Sequence, residues 1–315
     1  MRTFPHSRST CDAGSAFPLY PFECTVHSVF THALNFKVTG NDALLSLISD
    51  KNKLHPRAAL VPQNFNTLQL KVGMLGSFDG EKLVFPASCS SFKIPPYRHD
   101  KKDERPRRLL KNMEIPARIQ EAVRILRDIG REIEPSIDYL FEGIKKDVCH
   151  SEYAKHFVDG ALSIETAFTL KSVPQFNQAL TGLIGLGPGL TPSGDDFICG
   201  YLAGCRSLSL YDKDLEAFLD AWAGTFCTKE SMATGILSRT NGISAAFLWE
   251  AAQARFSQAL LAFANSILGF GDIEKSLQAL ANIGHSSGIN AAQGYLFSLR
   301  RNHAPSIQLY GSQKP

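Results

Sequence analysis

The spacing of apolar positions changes once along the chain. In the first third it is short and alternating. Leu68, Leu70 and Val72 take turns with Gln69 and Lys71, which predicts a half-buried antiparallel strand over Thr67–Val72. His32–Val38, Ala58–Val61 and Lys82–Phe85 are predicted strands of the same kind. Turn-forming sequences such as Thr39-Gly40-Asn41-Asp42 and Phe78-Asp79-Gly80-Glu81 separate them. A small β-sheet or barrel across residues 24–95 follows.

Beyond this region the period lengthens. Ile119, Val123, Leu126, Ile129 and Ile133 recur at intervals of three and four, the apolar face of an amphipathic helix. Further helices are expected over Ser136–Lys146, Glu152–Leu170, Asp195–Leu210, Asp214–Cys227, Ser244–Leu268, Ile273–Ile283 and Ala291–Arg300. The predicted class is α+β by segregation: a small β domain (24–95), then a mostly α-helical domain (116–303). Residues 1–23 read as a loose, partly disordered leader without an apolar run of signal-peptide type, and 304–315 as a tail. The charge-dense stretch Arg98–Lys111 falls in a linker over 96–115. It reads as a solvated connection rather than a phosphate-binding arm, because acidic residues interrupt the basic ones and no aromatic residue interleaves with them.

Composition mainly excludes. The 315 residues are 44% hydrophobic and 20% charged with a net charge of +3, too little to mark a nucleic-acid partner. No apolar run reaches the roughly 18 residues of a membrane span, so no membrane association is expected. The seven cysteines are scattered and form no CxxC pair. That argues against a disulfide framework or a zinc ribbon and for a cytoplasmic location.

Candidate chemistry concentrates in Gly185–Gly200 (GLGPGLTPSGDDFICG). Its glycines, Gly187, Gly189 and Gly194 among them, allow backbone angles that aim successive N–H groups at one point. Ser193 is placed to cap the following helix, with Asp196 completing a capping-box-like pair. A helix start favours a phosphate or carboxylate, with Thr191 and Ser193 as further ligands. Asp195 and Asp196 suit a divalent metal such as Mg²⁺, and Asp196 suits an acid–base role. The plainer alternative is a capped helix whose aspartates complement its dipole. No Lys follows the glycines and the spacing is not that of a dinucleotide-binding turn, so no organic cofactor is expected.

Gly284–Tyr295 (GHSSGINAAQGY) echoes this segment. Ser193-Gly194-x-Asp196-x-x-x-Gly200-Tyr201-Leu202 matches Ser287-Gly288-x-Asn290-x-x-x-Gly294-Tyr295-Leu296. The recurring mid-helix glycines predict two closely packed helices whose N-termini converge. Ser286, Ser287, Gly288 and Asn290 are then ligand candidates, and His285 is a catalytic one beside a structural alternative. Thr240 and Asn241, in Thr240-Asn241-Gly242-Ile243-Ser244, stand either as ligand contacts or as ordinary helix-cap residues, with the cap favoured. Cys199 reads as packing.

GLGPGLTPSGDDF with GHSSG nearly a hundred residues later resembles the signature of the AllH-type subunit of oxamate carbamoyltransferase, over about His27–Leu299. The HALNF segment echoes a strand near the start of that family. The resemblance implies a subunit of a complex that converts oxalurate and phosphate to oxamate and carbamoyl phosphate. Its implied partners are an FdrA-like protein and a further carbamoyltransferase subunit. Where the family pattern carries an aspartate after GHSSG, this chain has Asn290. Two other functions stay open: a stand-alone metal-dependent phosphotransfer or hydrolytic enzyme, and a non-catalytic partner subunit.

Overall fold

The structure, a computed structural model, describes residues 13–40, 44–95, 105–107, 115–141, 151–228 and 230–311. The chain divides into two compact units, residues 1–104 and 105–315.

The first unit is built on one seven-stranded sheet. Its strands are β1 (Phe22–Val29), β2 (Ala33–Val38), β3 (Leu44–Ile48), β4 (Ala58–Leu60), β5 (Leu75–Phe78), β6 (Lys82–Phe85) and β7 (Ser90–Lys93). They lie in the order β4-β3-β2-β1-β5-β6-β7, antiparallel except for the β3–β4 pair. Alternation places Phe22, Phe36, Phe78 and Phe85 in the core with Phe65 and Phe92, where aromatic edges meet aromatic faces.

Two expectations for this unit change. Residues 13–22 do not behave as a leader: Ala13 bridges to Ala59, Gly14 N–H donates to Ala58 O, and Phe17 is buried against Phe22, Phe36 and Phe78. Residues 1–12 lie outside the described residues. Thr67–Val72 is not a strand. Asn64 accepts from Asn66 N–H, and a 3₁₀ turn forms at Phe65–Thr67. Phe65 takes the core position, Leu70 is buried, and Val72 is 70% exposed. Alternation in sequence was outweighed here by side-chain-to-backbone bonds that favour turns.

The second unit is helical: α1 (Ile115–Ile129), α2 (Ile137–Phe141), α3 (Glu152–Thr169), α4 (Val173–Leu183), α5 (Ser193–Ser209), α6 (Lys213–Phe226), α7 (Gly242–Ala252), α8 (Gln258–Ile267), α9 (Ile273–Ala281) and α10 (Ser287–Gly311). Ser151, Asp212, Asn241, Ser257 and Asp272 cap α3, α6, α7, α8 and α9 through side-chain oxygens. α4 was not foreseen. The helix expected over Ser244–Leu268 is two. α7 ends where Arg255 N–H returns to Glu250 O and Ala254 takes a left-handed φ of 62°, and Ser257 then caps α8. The apolar pattern runs through this break without a glycine or proline to mark it.

Of the proposed 96–115 linker, residues 96–104 and 108–114 lie outside the described residues. Within 105–107, Arg107 N–H donates to Asn265 Oδ1, and its guanidinium stands 5.5 Å from the Phe270 ring centre. Likewise, 142–146 of the helix expected over Ser136–Lys146 lies outside the described residues. Among the described residues, no helix is long and apolar enough to cross a membrane.

Candidate functional site

The centre of the helical unit is the pair α5 and α10. A side chain at Gly200 would strike the carbonyl of Ala291, and one at Gly294 would strike the carbonyl of Phe197. These contacts are reciprocal, because Gly200 matches Gly294 and Phe197 matches Ala291 in the sequence echo. Further along, Gly204 sits against Ser298. Contacts therefore advance in the same direction on both helices, which run parallel about a local two-fold. The cost of glycine inside a helix, roughly 1 kcal/mol each, is offset by this close backbone approach.

Parallel packing brings both N-termini together. Thr191, just before α5, has its Oγ1 2.6 Å from Oγ of Ser287, the first residue of α10. The expected convergence is therefore found. Two helix starts carry partial positive charge into one place, an arrangement that favours an anion; Gly194 and Gly288 N–H already donate to Leu186 O and Ile283 O.

The two aspartates part company here. Asp195 is fully buried. Its Oδ1 accepts from Gly185 N–H at 2.8 Å, and its Oδ2 accepts from Thr240 Oγ1 at 2.5 Å and Ser244 Oγ at 2.6 Å. Burial raises its pKa, and these donors work against the rise. Asp195 is thus a buckle between the glycine turn and the start of α7. Asp196 lies beside Ser287 and Thr191. Burial pushes its pKa up to about 8, the two hydroxyls draw it down, and the neighbouring Asp195 adds to the rise. Its Oδ2 is buried with no hydrogen-bond partner among the described residues.

Adjacent positions on a helix point about 100° apart, and Asp195 is already engaged by three protein donors. A Mg²⁺ held jointly by Asp195 and Asp196 does not fit this arrangement. Among the described residues, no group of three or more His, Cys, Asp or Glu side chains gathers as a metal site.

Other candidates find distinct places. Ser193 does not cap α5: it is the helix's first residue, the cap position is Pro192, and no side chain caps it. Ser193 is 3% exposed, next to Gly187 and the Tyr153 hydroxyl, so it is a packing residue rather than an open ligand. Gly187 and Gly189 turn the chain with φ of 111° and 99°, which favours glycine at both. Gly194 and Gly288 are matched again: a side chain on either would strike a carbonyl of the preceding helix, Leu183 O and Leu280 O respectively.

Asn241 is a cap residue, accepting from Ile243 and Ser244 N–H, while its amide donates to Leu190 O at 2.6 Å. With Thr240 on Asp195, both residues of this third segment hold the glycine turn in place. Ser286 and Ser287 are half-buried at the start of α10, and His285 is exposed in the turn before it. Asn290 is fully buried, and neither its Nδ2 nor its Oδ1 has a partner among the described residues. Burial pushes the Cys199 thiol well up, as do Asp196 and Asp195, which leaves it a packing residue.

Sequence reasoning missed Ser244 and Tyr153. Ser244 stood in the third segment and looked like an ordinary helix-start residue. Tyr153 lies on α3, in a stretch whose only visible feature is helical periodicity.

Two family models match the chain. Residues 183–299, which hold both loops, match the oxamate carbamoyltransferase subunit AllH, and residues 9–95 match the AllH family N-terminal domain. Comparison with curated proteins and with solved structures gives no match. With its sheet unit and its paired loops both accounted for, this chain belongs to the AllH family of oxamate carbamoyltransferase subunits.

Proposed function

We propose that the converged starts of α5 and α10 form the anion- and proton-handling part of a carbamoyl-transfer site, working in a complex with an FdrA-like protein and a further subunit. The observation that carries this reading is Asp196, a half-buried side chain beside two helix N-termini whose Oδ2 is buried with no partner among the described residues.

The reaction suits these parts. A phosphate oxygen attacks the carbamoyl carbon of oxalurate, a C–O bond forms, and the C–N bond to oxamate breaks. The electron pair of that bond passes to nitrogen, which needs a proton. Asp196, neutral at pH 7, gives that proton and recovers one from the phosphate hydroxyl, so charge and atoms balance. The helix N-termini and the Thr191 and Ser287 hydroxyls oppose the negative charge gathered on the reacting oxygens. Asp195, Thr240 and Asn241 hold the turn in register, which is the positioning that a direct transfer requires.

Co-expression with FdrA-like and further carbamoyltransferase subunits, followed by an assay for carbamoyl phosphate from oxalurate and phosphate, tests the reading. Activity is expected only when this chain is present and only in the complex. Full activity of the isolated chain, or of a complex lacking it, contradicts the reading.

A further inference from the structure

The matched starts of α5 and α10 differ in charge. α5 opens with Asp195 and Asp196, whereas the same positions on α10 are Ile289 and Asn290. We infer that a phosphoryl oxyanion seats at the start of α10, on the Gly284–Ser287 turn and the Asn290 carboxamide, and not at the start of α5. This inference rests on the site proposed above and divides its labour between the two helices.

Three observations carry it. First, both first-turn carboxyl groups belong to α5. The one that lies beside Ser287, Asp196, has its pKa raised to about 8, so at neutral pH the start of α10 faces no ionised carboxylate of its own helix and a protonated one across from it. Second, Asn290 is 0% exposed, yet neither polar atom of its side chain has a partner among the described residues. A native carboxamide in that state needs an explanation, and a ligand supplies one. Side chains lean toward the N-terminus of their own helix, so the Asn290 carboxamide leans toward the turn. Its Nδ2 donates to a phosphoryl oxygen, and its Oδ1 accepts an N–H from the carbamoyl group joined to that phosphoryl. Third, the turn is shaped for close approach: Gly284 has φ 65°, and a side chain on it would stand 2.9 Å from Ser287 Oγ.

The division also fits the chemistry. An acid–base carboxyl that keeps its proton at neutral pH does not repel phosphoryl oxygens beside it, and Asp196, next to Ser287, lies where it can exchange protons with both the phosphoryl group and the leaving nitrogen. One helix start then serves the anion and the other the proton.

Inorganic phosphate is the probe, with thermal shift and calorimetric binding on the full chain. Phosphate is expected to raise the melting temperature of the wild type and of Asp196→Asn. Asn290→Leu and Ser286→Asp should weaken phosphate binding by more than about tenfold, the first by removing the carboxamide donor and the second by setting like charges in contact. Ser286 is only half-buried. An aspartate there favours the free helix, so the ligand-free melting temperature of Ser286→Asp should hold or rise while the phosphate response disappears. That combination separates lost binding from lost folding. Undiminished phosphate binding in both Asn290→Leu and Ser286→Asp overturns the inference, as does loss in Asp196→Asn alone. The site reading survives either of those results. Absence of any phosphate response in the wild type overturns both.

Discussion

The hydroxyls of Thr191 and Ser287 stand 2.6 Å apart, although 96 positions separate them in the chain. That contact brings two glycine-rich loops together. It depends on the parallel packing of α5 and α10 below it, and on the Asp195 buckle behind it.

The packing comes first. Because Cβ atoms at Gly200 and Gly294 would meet backbone carbonyls rather than yielding side chains, either Gly200→Ala or Gly294→Ala should destabilise the helical unit. The expected loss is about 2 kcal/mol or more, toward the upper end of overpacking costs. Chemical denaturation measures it, and a melting temperature equal to wild type would show that the helices can separate at no cost.

The buckle is the second case. Asp195→Ala strands the Gly185 N–H and the Thr240 and Ser244 hydroxyls, three donors that now share one buried carboxylate. At roughly 1–3 kcal/mol for each stranded buried group, partly relieved by water, a loss of about 2–5 kcal/mol is expected. The sequence alone suggested a metal ligand, a role that the fold does not depend on. Unfolding measurements that show wild-type stability would restore that view.

Asp196 makes stability depend on pH. Its folded pKa of about 8 lies above the ordinary 3.8, so between those values the folded chain keeps a proton that the unfolded chain has released. Its contribution is complete below pH 3.8 and is lost as the pH rises through about 8. Melting temperatures across this window should therefore fall less steeply for Asp196→Asn than for wild type. Asp195 is shifted in the same direction and keeps some slope in the variant. Identical slopes in the two proteins would mean that Asp196 is ionised throughout.

Much of this was legible in the sequence. The period-two and period-3.6 patterns separated a sheet unit from a helical one, because each records which face is buried. The echo between Ser193–Leu202 and Ser287–Leu296 foretold the helix pair, because glycines recur where backbones touch. Other features left no local trace. The surroundings of Asp195 and Asp196 differ although they are neighbours, and only the positions of Thr240, Ser244, Thr191 and Ser287 tell them apart. Ser193 looked like a cap because caps are read from nearby residues, whereas its burial next to Tyr153 and Gly187 is tertiary. The strand expected at Thr67–Val72 failed for a related reason: Asn64 competes for the backbone just ahead of it.

The most direct measurement is the initial rate of carbamoyl phosphate formation from oxalurate and phosphate, in the complex carrying wild-type chain and in one carrying Asp196→Asn. Removal of a positioned acid–base group predicts a fall of about 10²-fold or more with the complex still assembled. An Asp196→Asn complex that turns over at the wild-type rate would contradict the account.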